Sequence, residues 1–131
     1  MERKGFLIDT NVAIEYIGEV LNEDVLNELD HIINSGYFIS VINKIELLGF
    51  HNLSELEDEK FYEFVKNAQI FDLDEMIVEK TIEICRNFRI KLPDAIIAAT
   101  ALVHQLTLLT RNTKDFEKIS GLKFQNAQTD L

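Results

Sequence analysis

Four acidic residues in this 131-residue chain stand where a carboxylate can do chemistry: Asp9, Glu46, Asp94 and Asp115. Asp9 closes the apolar run Gly5-Phe6-Leu7-Ile8. Glu46 lies among Ile45, Leu47 and Leu48 just inside a predicted helix. Asp94 follows Pro93, and proline favours the first turn of a helix, where the backbone dipole welcomes a negative charge. Asp115 comes after the polar stretch Thr110-Arg111-Asn112-Thr113-Lys114. Singly, each has a plain structural explanation. Asp9, Asp94 and Asp115 can cap helices or make Asx turns, and Glu46 can sit on a solvated helix face. Jointly they point further. Clustered carboxylates repel and stay protonated unless a cation neutralises them. Hard divalent cations take oxygen ligands, and Mg²⁺ typically combines one or two carboxylates with waters and phosphate oxygens. With no competing reactive constellation in the chain, the chemistry indicated is metal-assisted phosphodiester hydrolysis.

The elements that must position these acids follow from hydrophobic periodicity. A first strand over 5–9 leads through Thr10 and Asn11 into a helix carrying Val12, Ala13, Tyr16 and Ile17. A second helix fits 23–34, stopped by Ser35-Gly36. Residues 37–41 make a near-continuous apolar strand, as parallel strands tend to be. Asn43 is placed to cap a third helix containing Glu46. Ser54 with Glu57 forms the capping-box pattern of a helix over 54–67. Strand 69–73, helix 74–88, an apolar small-residue helix over 93–105, strand 106–109, a short helix near 114–119 and a last strand near 122–125 complete the chain. Strands alternating with helices predict a parallel sheet in a three-layer α/β/α sandwich of four to five strands. In such sheets ligands sit beyond the carboxyl ends of the strands, where Asp9 and the 110–112 loop fall. Asp94 opens the buried helix that feeds the fourth strand.

Length suits a single domain over 1–131. The formal net charge of −10 argues against a generic nucleic-acid binder. The distribution is uneven. Residues 1–85 hold 6 basic and 19 acidic side chains, whereas 86–123 hold 7 basic and 3 acidic ones. Such asymmetry suits either a solvated surface or a phosphate-facing rim beside Asp94 and Asp115. Cys85 is the one cysteine, which excludes an internal disulfide and predicts a core thiol. His31, His51 and His104 have no partners at metal spacing; His104, near a helix end, is expected in the core or against the helix dipole. The charged start is not a secretory signal, and no apolar run approaches the roughly 20 residues that span a bilayer. The expected setting is cytoplasmic, without a membrane.

The acid-bearing segments also carry a resemblance. Phe6-Leu7-Ile8-Asp9-Thr10-Asn11, the stretch Ser40-Val41 through Glu46-Leu47, Pro93-Asp94-Ala95-Ile96-Ile97-Ala98-Ala99, and Leu108-Leu109-Thr110-Arg111-Asn112-Thr113-Lys114-Asp115-Phe116 resemble, in order, the four motifs of the PIN-domain family. The likeness is to its VapC-type toxin ribonucleases in particular and runs from Phe6 to the final strand. The resemblance implies a strand order of 3-2-1-4-5 and a Mg²⁺ or Mn²⁺ site formed by Asp9, Glu46, Asp94 and Asp115. It implies that Thr10 and Asn11 order the first loop while Thr110 and Asn112 shape the fourth. It further implies a homodimer, an RNA substrate and a silencing antitoxin protein.

Hydrolysis by a metal-activated water is the expected mechanism. Lys44, Arg86, Arg89, Lys91, Arg111 and Lys114 are candidates for holding RNA phosphates, Arg111 and Lys114 first for their place in the site loop. A housekeeping RNA-processing nuclease and a PIN-like interaction module without turnover are the alternatives to a toxin. A phosphoacceptor receiver lacks its paired acids, because Ile8 precedes Asp9, and it also lacks a convincing lysine. A haloacid-dehalogenase-like site has Asn11 where its second aspartate belongs.

Overall fold

The computed structural model describes residues 5–127. Strand β1 (Phe6–Ile8) is followed by α1 (Thr10–Ile17), α2 (Glu23–Asn34), β2 (Phe38–Ser40), α3 (Val41–Leu48), α4 (Glu55–Asn67) and β3 (Gln69–Phe71). Then come α5 (Glu75–Asn87), α6 (Leu92–His104), β4 (Thr107–Thr110), α7 (Thr113–Phe116) and β5 (Phe124–Asn126). All pairings are parallel, in the order β3-β2-β1-β4-β5, as the resemblance implied.

The central strands β1, β2 and β4 are buried on both faces, and strand alternation assigns each face its helices. Leu7, Phe38 and Leu108 point to one side and join Ile77, Ile84, Phe116 and the buried face of α6. Ile8, Ile39 and Leu109 point to the other and meet residues of α1, α2, α3 and α4. The result is the predicted three-layer sandwich. Helix α6 explains its own composition. Ala95 through Ala101 are all buried, and the four alanines and Thr100 among them let neighbouring backbone approach closely. Among the described residues, no helix is long and apolar enough to cross a membrane.

Three local expectations change. Residue Val41 does not extend the second strand but starts α3, because Ser40 accepts from the Ile42 amide and caps the helix. Asn43 is consequently the third helical residue rather than the cap. Its Oδ1 accepts from the Ser40 amide at 2.8 Å, closing a capping box. Cys85 is exposed, not core. It lies on α5 next to Ile84, and the helical turn that buries Ile77, Thr81 and Ile84 rotates the following position to solvent. The capping box at Ser54 and Glu57 forms as expected.

Candidate active site

Because every strand runs the same way, all carboxyl ends lie along one edge of the sheet. Chain connections leave β1 and β4 toward opposite faces, through α1 and through α7, so a crevice opens between these two strands. Asp9 stands in it. Its amide extends the ladder to the Leu109 carbonyl at 2.9 Å, and the Thr110 hydroxyl donates to Asp9 Oδ2 at 2.8 Å. Asp9 Oδ1 accepts from the Thr10 amide at 2.9 Å, so the residue also caps α1. Capping and site placement are therefore one arrangement rather than competing explanations.

Glu46 reaches the same edge from α3. Although exposed, it accepts from the Thr10 hydroxyl at 2.5 Å, and Thr10 Oγ1 accepts in turn from Asn43 Nδ2 at 2.9 Å. Asn43 is fully buried and therefore anchors this chain of bonds. Asp94 occupies the first turn of α6, where Lys91 is the cap position but provides no side-chain cap. Asp115 sits in α7 and accepts from Asn112 Nδ2 at 2.8 Å, while the Asn112 amide donates to Thr110 Oγ1 at 2.9 Å.

A cleft of about 260 Å³ is lined by Asp9, Thr10, Asn11, Glu46, Asp94 and Asn112, with Ile14 and Phe50 as apolar walls. Asp115 is not part of this lining but faces Asp94 closely enough to perturb it electrostatically. A larger cavity of about 450 Å³ between α1, α2 and α4 is lined by Tyr16, Asp30, Tyr37 and Lys60, among others, and holds none of the four acids. Size alone does not mark the site; converging carboxylates with perturbed acidity do.

Burial, first of all, pushes the Asp9 carboxyl up to about 6. The Thr110 and Thr10 hydrogen bonds oppose that shift, whereas Asp94 and Glu46 add to it. Asp94 is also raised, by burial and then by Asp115 and Glu46, with Lys91 pulling the other way. Asp9 and Asp94 thus feel the negative charge of neighbouring acids, offset only in part at Asp94 by Lys91, and a cation would relieve it. The donor set is entirely carboxylate, suited to a hard ion. Among the described residues no three Asp, Glu, His or Cys side chains form a preformed metal cage. An ion that uses one or two direct carboxylates and keeps its remaining waters, as Mg²⁺ does, fits this arrangement.

Of the basic residues singled out, Arg111 is ion-paired with Glu15 of α1. Lys91 is close enough to influence Asp94. Lys44, Arg86, Arg89 and Lys114 are exposed and do not line the cleft. The carbonyl of Arg89 accepts from Lys118 Nζ at 2.9 Å. Asn43 is the site residue that sequence reading placed wrongly in role. Its signal was the Ser40-x-x-Asn43 spacing of a capping box. His104 is half-buried, stacks on Phe71 with ring centroids 3.8 Å apart, and does not line the cleft.

A parallel 3-2-1-4-5 sheet with this four-acid edge defines a class, and direct comparison agrees. The PIN domain family model matches residues 6–122, and the chain belongs to that family. It is 29% identical over 130 residues to Ribonuclease VapC1 of Methanocaldococcus jannaschii, across 93% of this chain and 88% of that protein. A solved toxin–antitoxin complex from Klebsiella pneumoniae contains a chain 28% identical, with a TM-score of 0.73, covering 94% of this chain and 98% of that one. The DNA-bound VapBC structure from Salmonella typhimurium shares the fold, with a TM-score of 0.77 at 24% identity over 95% of this chain and 99% of its counterpart.

Proposed function

We propose that this protein is a cytoplasmic, divalent-metal-dependent endoribonuclease that acts as the toxin of a toxin–antitoxin pair, with Asp9, Glu46, Asp94 and Asp115 as its catalytic acids. The observation that carries this reading is the convergence of Asp9, Glu46 and Asp94 on one cleft beyond the carboxyl ends of β1 and β4, with Asp115 facing Asp94. The kinship with a protein named as a ribonuclease, and with a chain of a toxin–antitoxin complex, supports the substrate and the partner.

Mg²⁺ or Mn²⁺, when bound, would supply a water of lowered pKa and Lewis-acid stabilisation of charge developing on the phosphate. The chain's residues do the rest. Asp9, ionised and aimed by Thr110 and the Thr10 amide, and Asp94 at the start of α6 would be the direct holders. Glu46 and Asp115, held by Thr10 and Asn112, would orient the attacking water and accept its proton. Asn11 and Asn112 line the cleft and would offer their amides to a phosphodiester bound there. Arg111 and Lys114, together with Lys91 beside Asp94 and with Lys44, Arg86 and Arg89, would hold flanking phosphates.

A homodimer is part of the proposal. Large apolar side chains near the acid-bearing ends of α3 and α6 are left exposed, Ile45 at 62% and Leu92 at 60%. Covering such residues is a common reason for self-association. Sedimentation of the purified chain tests it.

The nuclease reading is tested with wild-type protein and Asp94→Asn on structured RNA, in Mg²⁺, in Mn²⁺ and in chelator. Metal-dependent cleavage that is lost in the variant supports the reading. Cleavage unaffected by the substitution contradicts the site. No cleavage together with no metal binding by calorimetry contradicts the enzyme and favours an interaction module.

A further inference from the structure

The ion pair between Glu15 and Arg111 joins α1 to the loop after β4 across 96 residues of sequence. It is strongly polarised in space. The Glu15 side chain is only 14% exposed, whereas that of Arg111 is 43% exposed. Arg111 Nη1 donates to Glu15 Oε2, and no other hydrogen bond of this guanidinium is present among the described residues. The second carboxylate oxygen, Glu15 Oε1, is buried and has no hydrogen-bond partner among the described residues.

This is a poor design for stability alone. Withdrawing most of a carboxylate from water is costly, and a single-contact pair with an orphaned oxygen recovers that cost incompletely. It is a good design for orientation. A guanidinium held at one nitrogen by a fixed acid keeps its remaining planar donors directed outward, in the fork geometry that matches a phosphate. The Glu15 carboxylate is mostly covered, its Oε1 fully so, which limits how far it confronts a polyanion. The location also fits. Arg111 lies between Thr110, which bonds Asp9, and Asn112, which bonds Asp115.

We infer that Glu15 is a positioning residue that fixes Arg111 as a clamp for one backbone phosphate of the RNA substrate. The inference rests on the nuclease reading above and deepens it. Glu15 touches neither substrate nor metal; it acts through Arg111. Lysine at 111 would keep the charge but lose the fork.

The test is a double-mutant cycle with Glu15→Gln, Arg111→Met and the pair. Cleavage of a mixed-sequence single-stranded RNA is followed in Mg²⁺, and binding of the same RNA is followed by anisotropy in chelator across a salt series. Arg111→Met is expected to raise KM about tenfold and to lessen the salt slope by about 0.7, one phosphate contact on single-stranded RNA. Glu15→Gln is expected to raise KM about fivefold with kcat within about twofold, and to add nothing in the Arg111→Met background. Arg111→Lys should not restore KM. An effect of Glu15→Gln that persists undiminished without Arg111, or one on kcat alone, would overturn the inference. Should Glu15→Gln fold poorly, the salt slope of Arg111→Met, an exposed position, decides: an unchanged slope overturns it. Wild-type protein that cleaves RNA while these variants match it sinks only the clamp, whereas wild-type protein that neither binds nor cleaves RNA sinks the nuclease reading with it.

Discussion

The Thr110 hydroxyl donates to Asp9 Oδ2 at 2.8 Å, joining two residues 101 positions apart at the ends of adjacent parallel strands. The bond opposes the burial that pushes the Asp9 carboxyl up to about 6. It also leaves Thr110 Oγ1 free to accept from the Asn112 amide, so that one hydroxyl couples the first acid to the loop that holds the last.

Thr110→Val, nearly the same shape, removes both bonds. Losing a hydrogen bond to the charged form raises an acid further. The acid limb of the pH–rate profile should therefore move to higher pH by about half a unit to one unit, with a stability loss of about 1–2 kcal/mol. Thr110→Ser keeps the hydroxyl and should track wild type. A profile for Thr110→Val that overlies the wild-type curve would show that Asp9 is not aimed by this bond.

Asp9 should make the metal-free protein less stable at neutral pH. Its folded value of about 6 lies above the ordinary aspartate value of 3.8. The protonated form thus favours the fold; its contribution is complete below about 4 and lost as pH rises through 6. The gap corresponds to about 3 kcal/mol, and Asp94 acts in the same direction. Asp9→Asn should therefore melt a few degrees above wild type at pH 7.5 in chelator while losing activity. The difference should shrink between pH 6 and pH 4. A variant that melts below wild type at pH 7.5 would refute the cost assigned to this carboxylate.

Metal binding must displace protons from the same groups. Affinity for Mg²⁺ or Mn²⁺ should climb about tenfold per pH unit below 6 and flatten above it. Calorimetry in buffers of different ionisation enthalpy should show proton release near pH 5.5 and little at pH 8. Affinity independent of pH across that interval would place the ion on other ligands.

Asn43→Ala should cost stability and activity together. It removes the acceptor of the Ser40 amide and the donor to Thr10, and it opens a void at a fully buried position. About 2–3 kcal/mol is expected in urea denaturation. Asn43→Asp keeps the acceptor but cannot donate to Thr10 when ionised. It should unfold at a urea concentration closer to wild type yet lose kcat, because Thr10 no longer holds Glu46.

Much of the framework that positions the candidate acids was legible before any tertiary information. An apolar strand ending on Asp9, a proline-led apolar helix opening on Asp94 and a polar strand-end loop leading to Asp115 are local patterns with local causes. Alternating strands and helices, together with the parallel rule, place those ends on one edge. Cys85 was misjudged for the converse reason. Thiols favour interiors on average, but a helix buries only the face its neighbours cover, and the periodicity of α5 put Ile84 on that face and Cys85 off it.

Sequence by itself determined which chemistry the chain can host, because residue type and strand-end position fix the donor set and its charge. Tertiary structure alone decided how that charge is held. The bonds of Thr110 to Asp9, Thr10 to Glu46 and Arg111 to Glu15 link residues 101, 36 and 96 positions apart. No periodicity or capping rule reaches that far. Such pairs exist only once the order 3-2-1-4-5 has set β1 between β2 and β4 and brought the start of α1 against α3 and the loop after β4.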